Sequence, residues 1–401
     1  MTKQKIALVS DWFLPRTGGV ERHLVELARA LHARGHEVEI VTATRGASTA
    51  HELPGVPIVR LDCPLLPGYR TVFRPRDGAQ LASLFAERRY DLIHAHSIYS
   101  PLALAAAYAG RTLRLPTVLT AHSLVRYACI PLFRALDYRL MWSSWPQVIT
   151  AVSEAVAADL RRASFAAEVQ VLPNGLTLPP RAPRPERAHH EPVRIICVSR
   201  LVPRKRPEAL LRAFARLDER IGAQRAARCR LVFVGNGPLF DDLRALAQRL
   251  GVAERVEWKG WCSPDEVQAE LRGADIFALP TRKEAFGLAA LEAAAVGLPV
   301  VTMRSSGAAE LFTPGVDGMV ASSDEDLTLA LAKLIEDPGL RARLGDRARF
   351  LAERYDWSGV LDRTLQLYRL AERRLGDRSG AALAPPLESR PAALQLVPGG
   401  A

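Results

Sequence analysis

Apolar and polar positions along this chain switch repeatedly between two spacings, and the switching itself predicts the architecture. The runs "KIALVS", "EVEIVTA", "VPIVRL", "DLIHAHS", "PTVLTAHS" and "QVITAVS" have the length and β-branched content of strands buried on both faces. Between them lie segments with apolar residues at helical spacing. In "VERHLVELARALHARG" these are Val20, Leu24, Leu27, Ala28 and Leu31, and Gly35 supplies the stop. "GAQLASLFAERR" and "PLALAAAYAGRTL" repeat the pattern. Strand-like runs alternating with helical ones predict an α/β fold with a parallel sheet covered on both faces.

The pattern lapses after "VQVLPNGL". "TLPPRAPRPERAHHEP" is rich in Pro and Arg and lacks periodicity, which predicts a linker. A second strand–helix series then runs through "VRIICVSRL", "PEALLRAFARLDERI", "CRLVFVGNG", "RVEWKGWC", "ADIFALPT" and "PVVTM". The predicted division is a first Rossmann-like domain over 1–178, a linker over 179–192 and a second Rossmann-like domain over 193–376. Its last helices are candidates for packing back on the first domain, and an Ala/Pro-rich tail over 377–401 is expected to be disordered. A length of 401 residues suits two cores better than one. Two such domains would face each other across a cleft lined by the loops at their strand C-termini.

Charge narrows the partners. The net charge of +11 and pI near 9.8 favour an anionic ligand or surface. Most of the cations are Arg scattered along helices, with no compact Lys/Arg block or aromatic–basic interleaving, so nucleic acid is not expected. Five dispersed cysteines without a C-x-x-C pair fit reduced thiols, hence a cytoplasmic setting. No apolar run reaches the ~18 residues of a membrane span, so membrane contact would be peripheral. "VRYACIPLFRALDYRLMWSSW" mixes Arg126, Arg134 and Arg139 with Phe133, Trp142 and Trp145. It reads either as a docking helix at the inner face of the membrane or as a core-packing helix of the first domain.

The chemistry-bearing residues cluster at predicted strand ends. Gly18 and Gly19 lie between the first strand and a helix, where paired glycines let backbone N–H groups approach a phosphate or simply permit a tight turn. Gly235 and Asn236 in "VFVGNGPLF" repeat that design in the second domain. Arg200, Arg204, Lys205 and Arg206 follow the strand "RIICV" and fit a pyrophosphate; Arg204 and Arg206 read equally as a solvated turn. His122 ends the strand of "LTAHSL", where an imidazole can donate to a sugar or act as acid or base. His94 and His96 share a strand face. Without a third ligand nearby in sequence, polar cleft lining or a satisfied core histidine is preferred over zinc. The D-x-D at Asp324–Asp326 reads as a helix cap.

"EAFGLAALE" places Glu284 in a loop before a helix starting near Phe286 or Gly287, and Glu292 on that helix. Free N–H groups at the helix start suit an anion and Gly287 lets a ligand come close. Glu284 can accept from sugar hydroxyls, and Glu292 from the paired hydroxyls of a ribose.

"TGGVERH", "TAHS", "LPNG", "SRLVPRK", "VGNGP" and "EAFGLAALE", in this order, resemble the retaining GT-B glycosyltransferases of family 4 over about residues 5–375. "DLIHAHSIYS" and "VLTAHSL" look most like the branch that transfers N-acetylglucosamine to phosphatidylinositol. That branch carries a membrane segment near its C-terminus, for which no counterpart is expected here.

The resemblance implies that the second domain holds a hexose or N-acetylhexosamine as its nucleotide-diphosphate sugar, UDP-linked in preference to GDP-linked and with UDP-GlcNAc among the candidates, and that the first holds a glycan, lipid-linked or inositol-type acceptor. It implies retention of configuration without metal or other cofactor. The E-x7-E motif falls on Glu284 and Glu292, the diphosphate-binding pair on Arg200 and Lys205, the active-site histidine on His122 and the glycine loop on Gly18 and Gly19. Donor contacts extend over Gly235, Asn236, Ala285, Phe286, Gly287 and Leu288. A sugar-nucleotide epimerase or hydrolase of the same fold, and a catalytically silent nucleotide-sugar binding protein, remain open alternatives.

Overall fold

A computed structural model describes residues 3–16, 18–46, 53–62, 65–66, 70–71, 75–166, 168–180 and 191–380. Most of the linker read over 179–192, and the tail beyond 380, lie outside the described residues.

The strands are β1 (Lys5–Ser10), β2 (Glu37–Thr42), β3 (Ile58–Arg60), the antiparallel pair β4 (Leu65–Leu66) and β5 (Arg70–Thr71), β6 (Leu92–His96), β7 (Thr117–Ala121), β8 (Val148–Ala151) and β9 (Gln170–Val171). The second series is β10 (Val193–Val198), β11 (Cys229–Val234), β12 (Val256–Gly260), β13 (Ile276–Leu279), β14 (Val300–Met303) and β15 (Met319–Ala321). Among the described residues they form a seven-stranded sheet of order β3-β2-β1-β6-β7-β8-β9 and a six-stranded sheet of order β12-β11-β10-β13-β14-β15. Every pairing given within these two sheets is parallel.

Each sheet reverses its order once, between β1 and β6 in the first and between β10 and β13 in the second. At such a switch point adjacent connections leave toward opposite faces and open a crevice beyond the strand C-termini. The candidate residues fall there. Gly18 and Gly19 follow β1, Arg200 and Lys205 follow β10, and Glu284 follows β13.

Burial explains why these segments fold as they do. Strands β6, β7, β8, β13 and β14 are buried along their whole length, as continuous apolar runs in a covered parallel sheet should be. The Gly19–Ala33 helix buries Leu24, Leu27, Ala28 and Leu31 of the predicted stripe, while Val20, in its first turn, is half-buried. The Trp357–Gly380 helix returns to the first domain, where Val360, Leu361, Leu365, Tyr368 and Ala371 join Ile6, Leu8 and Leu24 in one core. Its end at Gly380 carries helix four residues into the segment read as tail.

Two other details differ from the sequence reading. "PEALLRAFARLDERI" forms two helices, Pro207–Ala215 and Leu217–Ile221, instead of one. The three-residue edge strand β15 carries too short an apolar run to signal itself.

Candidate active site

The Leu288–Ala295 helix is the second domain's contribution to the cleft. Gly287 caps it at φ 89°, a left-handed conformation that a side chain strains. A Cβ there would also lie 2.4 Å from the Ala308 Cβ. The helix therefore begins one residue beyond the expected start, with the N–H groups of Leu288 and Ala289 ahead of the first intrahelical bonds, which Ala290 and Leu291 donate to the Gly287 carbonyl. Phe286 is 4 % exposed and packs edge-on against Tyr355 at 6.0 Å, so its ring belongs to the core and only its backbone is available to a ligand.

Both carboxylates of the motif meet cations. The Lys205 ammonium contacts Glu284 Oε2, and Glu284 Oε1 accepts from Ala285 N at 3.2 Å. Glu292 is buried on its helix, and the Arg22 guanidinium from the first domain reaches across the cleft to it. Burial pushes the Glu292 carboxyl above its ordinary range, and Arg22 opposes that rise. Arg200 is exposed, and no side-chain partner is found for it among the described residues. Arg206 turns away, forking onto both oxygens of Asp324 at 2.6 and 2.9 Å, with Arg282 also on Asp324. Asp326 accepts from the backbone N–H groups of Ser322 and Ser323, so the D-x-D is a capping structure.

The glycine loop of "VGNG" serves the Arg200 turn. A Cβ at Gly235, where φ is +128°, would meet the Ser199 carbonyl at 2.1 Å, and one at Gly237 the Leu201 carbonyl at 2.3 Å. Leu201 N donates to the Asn236 carbonyl, while exposed Asn236 accepts from Gly237 N through its own side chain. The loop thus clamps the backbone that carries Arg200. In the first domain, Gly19 faces open space, whereas a Cβ at Gly18 would strike the Glu21 carboxylate at 2.5 Å. Glu21 is itself held by Arg16 at 3.2 Å.

Imidazoles line the first domain's side. His122 follows β7 and is buried, with Nε2 at 3.0 Å from His96 Nδ1. His23, in the Gly19–Ala33 helix, lies 4.9 Å from His122 and 5.7 Å from His96 between ring centroids. His94 is separately satisfied, by the Tyr368 hydroxyl at 2.9 Å and the Thr120 hydroxyl at 2.7 Å. Burial lowers the pKa of His23 to about 4 and of His94 to about 3. Burial first, and the neighbouring imidazoles second, hold His96 and His122 well below the usual range. All four are neutral at pH 7.

The halves are tied together beside the motif. Ser153 Oγ donates to the Ala285 carbonyl at 2.6 Å, and the Glu310 carboxylate accepts from Glu154 N and Ala155 N at 2.7 and 2.6 Å. Glu310 thereby caps the Glu154–Ala163 helix of the opposite half. Gly175 of "LPNG" admits Trp357, whose ring would lie 2.4 Å from a Cβ there. An adjoining cavity of about 570 Å³ is lined by Arg22, His23, Asn174, Gln268, Leu288 and Trp357, among others. Lys205, Glu284 and His122 are not among its lining residues.

Sequence reasoning missed Arg22, His23, Ser153 and Glu310. A signal existed for His23, a polar residue four positions before Leu27 on a helix whose core stripe is aliphatic. The other three meet their partners only through the tertiary fold.

Residues 17–179 match the family described as Glycosyltransferase Family 4, and residues 180–350 match Glycosyl transferases group 1. The chain belongs to the family 4 glycosyltransferases, with a GT-B fold. It is 31% identical over 379 residues to the GDP-mannose-dependent alpha-(1-6)-phosphatidylinositol monomannoside mannosyltransferase of Mycolicibacterium smegmatis, covering 87% of this chain and 94% of the relative. It is 29% identical over 372 residues to a phosphatidylinositol N-acetylglucosaminyltransferase subunit of Homo sapiens, covering 90% of this chain and 75% of that one. The fold superposes on Anabaena Alr3699/HepE in complex with UDP and glucose with a TM-score of 0.67 at 20% identity, covering 94% of this chain and 100% of the other.

Proposed function

We propose that the protein transfers a hexose or N-acetylhexosamine, with retention, from a nucleotide-diphosphate sugar to the inositol headgroup of a lipid or a similar lipid-linked glycan. The observation that carries the reading is the meeting of the two switch-point loops of the second domain, with Lys205 on Glu284 beside exposed Arg200 and the start of the Leu288–Ala295 helix. In the reaction the bond from the sugar's C1 to the diphosphate oxygen breaks and its electron pair stays on that oxygen. The acceptor oxygen bonds to C1 on the same face and its proton passes to the leaving diphosphate. Arg200, Lys205 and the N–H groups of Leu288 and Ala289 would hold the developing charge, so no metal ion or other cofactor is needed.

Glu284 would leave Lys205 to orient the sugar, Glu292 would exchange Arg22 for the ribose diol, and His122 would face the sugar from the first domain. Gly18 and Gly19 border that face. Gly235 and Asn236 act through the Arg200 turn they clamp. The relatives support transfer to phosphatidylinositol-type acceptors but divide between mannose and N-acetylglucosamine; UDP-GlcNAc is our first choice and GDP-mannose the rival.

An exposed face supports a lipid-borne acceptor and a cytoplasmic enzyme that docks on the membrane. On and beside the Ile130–Leu140 helix, Tyr127, Leu132, Tyr138 and Met141 are 81 %, 58 %, 72 % and 51 % exposed, and Arg126, Arg134 and Arg139 are exposed with them. The aromatics singled out from sequence point the other way, Trp142 being buried and Phe133 and Trp145 half-buried. The only acid within this helix, Asp137, is buried and accepts from Ser143 N and Phe165 N. Apolar and cationic groups together fit an anionic bilayer. Among the described residues no helix is long and apolar enough to cross one.

Folded Arg200→Ala and Glu292→Ala proteins should bind UDP or GDP at least tenfold more weakly than the parent, and equal binding would sink the donor site. Turnover of UDP-GlcNAc or GDP-mannose on phosphatidylinositol vesicles identifies the donor. Sugar released without any acceptor would indicate the epimerase or hydrolase alternative, and binding without turnover a silent binding protein.

A further inference from the structure

Three buried imidazoles converge where the sequence offered only an isolated H-x-H. His96 ends β6, His122 follows β7 and His23 comes from the helix packed over them, and one nitrogen from each lies within 4.8 Å of the others. We propose that His23, His96 and His122 form a binding site for a first-row transition-metal ion of the Zn²⁺ type, with its remaining coordination position open to the cleft.

The donor set selects the metal. Three imidazoles with no carboxylate suit Zn²⁺, Co²⁺ or Ni²⁺ and are poor ligands for Mg²⁺ or Ca²⁺. Tetrahedral Zn–N bonds of about 2.0–2.1 Å place ligand nitrogens about 3.3 Å apart. The His96 and His122 nitrogens stand at 3.0 Å already, so His23 supplies most of the adjustment, by at most about 1.5 Å. His23 Nδ1 is buried without a hydrogen-bond partner, so it is free to turn toward an ion. His94 is excluded from the set because Tyr368 and Thr120 occupy both of its nitrogens. A bound ion would replace the proton of the His96–His122 hydrogen bond, which moves to the other nitrogen of its ring. The cleft cavity reaches His23 and provides an entry path.

The consequence for turnover rests on the function proposed above. A bound ion would take His122 away from the sugar, making the metal a reversible inhibitor and not a cofactor.

Binding is tested independently of activity by titrating the chelator-treated full chain with Co²⁺. The expected result is visible tetrahedral ligand-field absorption that saturates at one ion per chain and is displaced by Zn²⁺. His23→Gln should weaken Co²⁺ binding at least tenfold, and His96→Gln likewise, each checked for folding by circular dichroism. Exposed His32→Gln, and the pair His189→Gln/His190→Gln in the linker sequence, should leave the band unchanged. No saturable band, an octahedral spectrum, or loss of the band in the His189/His190 variant alone would overturn the site. Inhibition by Zn²⁺, reversed by chelator, is then read separately; metal binding without inhibition would retain the site and count against the role given to His122.

Discussion

The two walls of the cleft solve opposite electrostatic problems. The second domain's wall is charged and paired, with Lys205 on Glu284, Arg206 and Arg282 on Asp324, and Arg200 exposed among them. Around His122 the first domain's wall is buried and neutral, with His23, His96 and His122 in contact and His94 behind them. A diphosphate gains negative charge as its sugar departs and needs fixed cations. An acceptor hydroxyl stays near neutrality and needs oriented donors and acceptors without a net field. The division fits a reaction whose charge is concentrated on one partner.

The sharpest way to break this comparison is to remove one group from each wall. Lys205→Ala should lower turnover by about 10²–10³-fold and weaken nucleotide-diphosphate binding. His122→Ala should lower turnover with little change in that binding. Equal losses of nucleotide affinity, measured by calorimetry, would erase the distinction between the walls. Gly287→Ala should cost about 1–3 kcal/mol in denaturant unfolding, from its left-handed backbone alone, with more from the approach to Ala308.

The neutral wall makes its own prediction about pH. Its histidines have folded pKa values below that of an unfolded chain, near 6.5. Between that value and about 4 the unfolded state therefore binds more protons than the folded one, and stability falls as pH falls. Each imidazole adds a slope of up to about 1.4 kcal/mol per pH unit. Urea midpoints from pH 7 to 4.5 should show it, and His23→Gln should flatten it. The smallest effect belongs to the tie between the walls. Glu310→Gln keeps one acceptor oxygen for the Glu154–Ala163 helix and should cost about 0.5–1.5 kcal/mol in thermal unfolding.

The charged wall was more legible in sequence than the neutral one, for a physical reason. Glu284 and Glu292 stood out because acids are rare in an Ala/Leu run, and Arg200 and Lys205 because they follow a strand directly. His94 and His96 were visible too, but their neighbours His23 and His122 lie on other elements, and only packing brings the rings together. Arg22 looked like any helix-surface cation, and its partner Glu292 lies 270 positions away, in the other domain. The sheets were legible because a covered parallel strand is written as one apolar run. The break after Ala215 and the edge strand β15 were not, being set by tertiary context.

The returning Trp357–Gly380 helix has a consequence for how the chain is made. Tyr368 and Leu365 fill the core built by Ile6, Leu8 and Leu24, and the Tyr368 hydroxyl holds His94. While the chain grows on the ribosome, the first domain thus emerges with its sheet translated but a hydrophobic slot unfilled. It waits for nearly the whole second domain to be synthesised before the last helix can close it. A transcript cut short after Asp356 would therefore leave an unfinished first half behind, and not a stable one.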